Sequence, residues 1–439
     1  MESSGTMADI EIFVLLVVLA LVVGLVARRL NFPYTLALVV TGLVLGWLPV
    51  LTNLHLDPNV VLFVFLPALL FEGAWNIDIQ ALKADWLAIL LLAVPGLALS
   101  LGVVAVVAHF GAGLPWLVAL LLGAIVSPTD PIAVLSLLRQ LGMPDRLCAI
   151  IEGESLFNDG VGAAAFELVY SLLLLSLGLS SSLSGLSTPL ITLDALWLLG
   201  GGLILGVLLG FIVTYLVRQV TDPLIETTVT FSVAYGAYIL ATLLGTSGLL
   251  AVVGAGLVLG SYGRRIGISR DALRVTDNVW MFVAFLANSL LFILVGVQIG
   301  SSHSILDALP AILWGVLGVI AGRALMVYTL LPAHDLLVRW AGKRADTKPT
   351  RAFSPLPVPR VWRPLILLSG LRGALSLALV LSLSTATPQR DILTLIVYGV
   401  VLVTLVGQGI GLRIVLPHWP RAESVPAPSQ AGAIGDVET

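Results

Sequence analysis

The sequence predicts an all-α membrane protein of about thirteen transmembrane helices, an inverted repeat whose two broken helices cross at the midplane. Three observations predict it. Of 439 residues, 58% are hydrophobic and 11% charged, against about 25% charged in a soluble domain. Thirteen apolar stretches lie near 9–27, 34–51, 58–75, 86–108, 115–138, 147–175, 192–217, 224–244, 247–262, 279–300, 306–332, 363–384 and 391–415. A helical span needs roughly 17–25 such residues. Two stretches carry helix breakers near their middles: SPTDP over 127–131 in the fifth and SGLRG over 369–373 in the twelfth.

One transmembrane domain, 9–415, follows a short outside segment, 1–8. A cytoplasmic tail, 416–439, rich in Ala, Pro, Ser and Gly, is expected to be disordered. The acidic start MESSGTMADIE lacks the basic region of a signal peptide. A single cysteine, Cys148, excludes an intramolecular disulfide and a cysteine metal site. The 43 glycines suit close helix packing and broken helices.

Charge sets the orientation. With the N-terminus outside, the inner loops collect 19 of the 22 Lys and Arg, and only Arg390 falls outside. Arg323 and Arg372 lie within spans. Basic residues favour the cytoplasmic side, so the C-terminus is expected inside. An odd count permits two six-span halves in inverted orientation around a linking seventh. Spans 5 and 12 then correspond, and interrupted helices at matching positions point to a transporter's midplane site.

Span 6 carries the densest polar run, IEGESLFNDG over 151–160. Ionisable groups at membrane depth are costly and usually mark an ion path. Ser155 and Asp159, four residues apart, share one helix face, and Glu154 and Asn158 share another. The first face is assigned to an ion and the second to structure. Glu152, about 10 Å nearer the inside, lines an entrance or is a solvated end residue.

In span 5, Pro128 and Pro131 remove amide donors and free the carbonyls around 127–130, oxygens that can ligate a hard cation. Asp130 before Pro131 has the pattern of an N-cap with proline at the first helical position. It offsets the positive end of a half-helix, binds the ion, or does both. Two arginines within spans need partners. Glu154 is the expected partner of Arg372, while the sequence names none for Arg323. Glu72 is an ion ligand or a helix anchor. Glu167 lines an outer funnel or, the favoured reading, faces packed protein. His55, His109, His303, His334 and His418 fall near span ends, where solvated histidines are ordinary, and no metal centre is expected.

In LLFEGAWNID, SPTDPIAVLSLL, IEGESLFNDGVG, PLIETTVTFSVAYGAYILA, SGLLAVVGAG, SGLRGALSLAL and TLVGQG, in that order, the chain resembles a monovalent cation:proton antiporter family. That family joins the prokaryotic NhaP-type exchangers with the eukaryotic sodium/proton exchangers. The resemblance implies the antiporter fold, a homodimer, and a core of spans 4–6 and 11–13 moving like an elevator against the rest. It implies Asp159 as the exchange carboxylate, with Ser155, Glu72 and oxygens at Thr129 around the cation. Asn158, Asp130, Glu154 and Arg372 support the site, with Arg323 beside them. No cofactor and no nucleic acid are expected, only lipid, protons and Na+, Li+ or K+. The implied location is a prokaryotic cell membrane, and the implied role pH homeostasis.

If Asp159 holds either a proton or a cation but never both, the two fluxes are coupled. Asn158 beside it is neutral, so one proton per cation is expected. An intramembrane aspartyl protease built on Asp130 and Asp159 lacks the GxGD motif of such enzymes. A serine protease through Ser155 lacks a histidine base within a span. A passive channel would differ from an exchanger by its reversal potential.

Overall fold

The computed structural model describes residues 2–29, 34–47, 60–77, 79–178, 197–301, 307–344, 356–384 and 386–415. Helices occupy all thirteen expected positions, with no strand among the described residues. The first six spans are α1 (Glu2–Arg29), α2 (Tyr34–Leu45), α3 (Val61–Asn76), α4 (Trp86–Ala112), α5 in halves Trp116–Val126 and Ile132–Gln140, and α6 (Asp145–Ser176). The linking span α7 (Gly202–Val217) follows a π-helical turn. The second half holds α8 (Pro223–Leu243), α9 (Gly248–Ile266), α10 (Arg270–Ser301) and α11 (Leu309–Arg344). It ends with α12, in halves Arg363–Leu368 and Ala374–Leu381, and α13 (Arg390–Val415). Seven of the helices are long and apolar enough to cross a membrane.

Two helix ends reach well past expectation. Helix α1 begins at Glu2, inside the segment expected to precede it. Helix α11 runs through Pro332 to Arg344, past the expected end at 332, since one missing donor does not end a helix whose neighbours still bond. His334 thus falls inside a helix and is 1% exposed, not solvated. The tail 416–439 and His55, His303 and His418 lie outside the described residues.

The halves mirror one another in packing. Exchanging them carries α2 onto α9 and α10 onto α3, and α2 packs on α10 as α3 packs on α9. Helix α4 packs on its counterpart α11. Between helices in lipid there is no hydrophobic drive, so close backbone approach over small residues supplies the attraction. Gly42 of α2 and Gly46 just beyond its end face Gly296 and Gly300 of α10 in this way, and a β-carbon on Gly296 would lie 2.2 Å from the Val39 carbonyl oxygen. Gly206 of α7 meets Ala251 of α9 as closely.

Two ion pairs fasten the end of the bundle at which α6 begins. Arg146, at the start of α6, forks onto the buried Asp85 carboxylate at 2.6–3.0 Å and donates to the Leu356 carbonyl at 2.7 Å. Asp335 of α11 accepts from Arg363 at 2.7 Å and from the Val358 amide at 2.9 Å. Helices α4, α6, α11 and α12 are therefore joined through the segment 356–363.

Gly296→Val should lower the thermal stability of the detergent-solubilised protein by the equivalent of about 1–3 kcal/mol, the usual cost of overpacking. Gly236→Ala, where a β-carbon meets nothing within 4 Å, should leave the melting temperature unchanged. Equal melting curves for the two variants would refute the close α2–α10 crossing.

Candidate functional site

The sequence breaks α5 and α12 where expected, and the two breaks meet. A broken helix leaves amides and carbonyls without their helical partners, and inside a bilayer each must be satisfied by protein. Here each break serves the other. The Asp130 amide donates to the Leu371 carbonyl at 2.8 Å. Arg372 extends back across the crossing, donating through Nη1 to the Ser127 and Pro128 carbonyls, the latter at 2.8 Å. The Arg372 amide reaches Thr404 Oγ1 of α13 at 3.4 Å.

Asp130 lies against Gly373, the residue that opens the second half of α12. A β-carbon there would come 2.2 Å from both Cβ and Oδ2 of Asp130. Its carboxylate thus lies beside the N-terminal end of that half-helix. The capping of its own helix is different. Pro131, not Asp130, holds the N-cap position and makes no side-chain cap, a one-residue shift of the helix start.

Helix α6 approaches the crossing closely. A β-carbon on Gly162 would lie 2.3 Å from Pro128 Cγ. Ser155 Oγ donates to the Thr129 carbonyl, and Asn158 Nδ2 lies 3.4 Å from both Thr129 Oγ1 and Glu154 Oε1. Three of the carbonyls around the two prolines thus accept hydrogen bonds within the site, two from Arg372 and the third from Ser155.

The expected Glu154–Arg372 pair is not formed. Glu154 takes a bidentate ion pair from Arg323 of α11, at 2.5 and 2.8 Å, with both side chains almost fully buried. Arg323 Nη2 also donates at 2.9 Å to the Ile366 carbonyl, near the end of the first half of α12. Arg323, left without a partner by the sequence, thus holds α6 to α11 and to the α12 break. Arg372 is bound by carbonyls because it projects from the crossing itself, where those oxygens are nearest. Its Nε and Nη2 are buried with no hydrogen-bond partner among the described residues.

These commitments single out Asp159. Among the described residues it has no hydrogen bond and no ion pair, while Asp130, Glu154 and Arg372 all lie within electrostatic reach. It faces a cavity of about 610 Å³ whose lining includes Ser155, Thr129, Asp130, Glu72 and Glu152. All five ion-binding candidates therefore line one space. The cavity reaches the surface at the Arg139–Glu152 ion pair, 2.7 Å long with Arg139 58% exposed, so Glu152 lines its mouth. Glu72 accepts from Asn76 at 2.8 Å, and Asn76 accepts from Arg264 at 3.2 Å, which sets the amide's orientation. Three amide or hydroxyl residues of the lining escaped the sequence reading: Asn76 of α3, Asn288 of α10 and Ser376 of α12. The signal for Asn288 was present, an amide inside the apolar run FVAFLANSLLF.

Two discontinuous helices crossing beside a carboxylate-bearing helix, over a cavity that reaches the surface, make a secondary ion transporter. The chain belongs to the sodium/hydrogen exchanger family, whose transmembrane-region model matches residues 16–418. It is 34% identical over 419 residues to the low-affinity Na+/H+ antiporter NhaS1 of Synechocystis, covering 94% of this chain and 76% of that one. It is 34% identical over 363 residues to the Na+/H+ antiporter NhaP of Pseudomonas aeruginosa, covering 81% and 80%. The solved structure of the sodium proton antiporter MjNhaP1 of Methanocaldococcus jannaschii matches its fold. There the TM-score is 0.74 at 22% identity, over 95% of this chain and 100% of that one.

Breaking a buried pair by removing one partner costs about 3–5 kcal/mol. Glu154→Gln and Arg323→Met should each lower thermal stability in detergent, and the double variant should recover part of the loss. Glu154→Gln combined with Arg372→Met should instead lose at least the sum. Double-mutant cycles on melting temperature would assign the pair wrongly here if only the second combination showed recovery.

Proposed function

We propose that the protein is a secondary antiporter that exchanges protons for Na+, Li+ or K+, with proton and cation competing for Asp159. The carrying observation is that Asp159 alone, of the three acidic side chains at the crossing, has no hydrogen bond or ion pair among the described residues. Glu154 is neutralised by Arg323, and Asp130 lies against the positive end of a half-helix. Asp159 lines the same cavity as Ser155 and Thr129, whose oxygens suit a small hard cation. Both antiporter names among the relatives support the same exchange.

Each residue then has a task. Asp159 holds the proton or the cation, and Ser155, Thr129 and Glu72 complete the oxygen shell as ligands of the cation. Asp130 contributes negative potential at the same point. Glu154, Arg323, Arg372 and Asn158 fix the crossing without exchanging anything. One exchanging carboxylate moves one proton per cation, so the cycle carries no net charge. With the N-terminus outside, as loop charge indicates, the mouth at Arg139 and Glu152 faces the cytoplasm and the conformation is inward-open. We place the protein in a prokaryotic cell membrane as a homodimer, its core of α4–α6 and α11–α13 moving against the rest.

Asp159→Asn should abolish cation-dependent proton flux in proteoliposomes while the protein stays folded, because the amide keeps the volume and removes the competition. Persistent flux would move the exchange site elsewhere. Ser155→Ala should raise the apparent KM for the cation and spare the maximal rate. Competition also fixes a pH dependence. As pH falls, protons occupy Asp159 and the apparent KM for the cation should climb, by up to about tenfold per pH unit, at constant maximal rate. A KM independent of pH would overturn competition, and a rate that follows an imposed membrane potential would overturn the one-for-one ratio.

A further inference from the structure

Glu72 and Asn76 stand four residues apart on one face of α3, and both line the cavity. Asn76 Nδ2 donates to Glu72 Oε1 at 2.8 Å, and Asn76 Oδ1 accepts from Arg264 Nη2 at 3.2 Å. An ionised carboxylate only accepts, a guanidinium only donates, and a carboxamide can turn over to present either edge. One orientation of Asn76 satisfies both neighbours. Arg264 therefore decides which edge of the amide meets Glu72.

Arg264 is itself held from two helices. Along the end of α9, a β-carbon on Gly256 would meet Ala74 of α3 at 2.7 Å, and one on Gly260 would lie 2.3 Å from the Trp75 carbonyl oxygen. That close approach sets the Arg264 guanidinium, four residues further on, over the Trp75 ring, 4.6 Å from its centroid. From α10, Asp277 Oδ1 accepts from both Arg264 Nη2 and Trp75 Nε1, each at 2.6 Å. Trp280, three residues on, packs against Phe71 with ring centroids 4.4 Å apart, which fixes α10 on α3. The Asp277 carboxylate offsets the Arg264 charge at close range. What reaches Glu72 is thus an oriented hydrogen bond more than a positive field.

We propose that Arg264 is a positioning residue for cation binding: braced by Asp277 and Trp75, it holds the Asn76 amide so that Glu72 keeps one orientation on the cavity wall. Asn76 engages Glu72 Oε1, while Oε2 accepts no hydrogen bond among the described residues. That second oxygen is the one left for the cation. Without Arg264 the amide can turn over, and Glu72 loses its fixed donor. The arriving cation must then order the carboxylate as it binds, a cost that falls on affinity and not on turnover. This rests on the exchange reading above, in which Glu72 is a ligand of the cation.

The apparent KM for Na+ would be read from Na+-driven proton flux in proteoliposomes carrying wild-type protein, Arg264→Met, Glu72→Ala or both substitutions. Methionine keeps an apolar stem beside Trp75 and removes every donor. Arg264→Met should raise the KM by about twofold to tenfold, the net worth of one hydrogen bond, at unchanged maximal rate. In the Glu72→Ala background the same substitution should leave the KM where it was. An unchanged KM in Arg264→Met, or the same fold rise with and without the Glu72 carboxylate, would overturn the proposal. So would a lowered maximal rate at unchanged KM, which marks a merely structural role. Should Arg264→Met not fold, Asn76→Ala removes the donor to Glu72 and is read in the same way. A Glu72→Ala variant with the wild-type KM would instead remove Glu72 from the cation's ligands, and this proposal with it. Wild-type protein without Na+-driven flux would overturn the exchange reading as a whole.

Discussion

The structure depends on one requirement: backbone groups released at the middle of a membrane must find partners in protein. The breaks in α5 and α12 satisfy each other, through the Asp130 amide on the Leu371 carbonyl and the Arg372 guanidinium on two carbonyls of the opposite break. Neither broken helix would be tolerable alone. Because they are tolerable together, unwound chain can exist at a depth where it brings carbonyls, hydroxyls and half-helix ends to one place. The rest of the bundle encloses that crossing.

The second level is a distribution of charge. Four ionisable groups at the crossing are held by specific neighbours, Glu154 by Arg323, Arg372 by carbonyls, and Asp130 by the opening of a half-helix. The buried Glu154–Arg323 pair gives rigidity more than net stability, since desolvation offsets most of its attraction. It fixes α6 to α11 one residue from Ser155, so the ion-facing side of α6 has one position relative to the break. Asp159 is left as the group free to bind something else.

Much of this was legible in the chain. Span number follows from hydropathy, and the breaks follow from Pro128, Pro131, Gly370 and Gly373, whose backbone chemistry is local. The pairing of Ser155 with Asp159 follows from helical spacing, and the cavity contains both with Thr129, Asp130 and Glu72. What failed was partnership across spans. Glu154 could reach either arginine as far as sequence tells, and the choice of Arg323 depends on how α11 lies beside α6. The environment of His334 was misjudged for a related reason: Pro332 reads as a helix stop, yet α11 continues past it. Asn288 needed a third helix to be placed against the crossing before an amide in an apolar run acquired meaning.

Asn158 beside Asp159 sets a limit on what such a machine can achieve. With a neutral amide at that position, a one-for-one exchanger has no access to the electrical part of the proton-motive force. At balance the cation ratio across the membrane simply equals the proton ratio. A cell with more sodium outside than in could use that inward gradient to expel protons. A cell alkaline inside relative to its medium could use it to expel sodium, though only as steeply as that pH difference. In a strongly alkaline medium, where the cytoplasm is the more acidic side, the same protein would run the other way and admit sodium. Under the one-for-one exchange proposed above, that single side chain would decide in which habitats the exchanger removes salt and in which it removes acid.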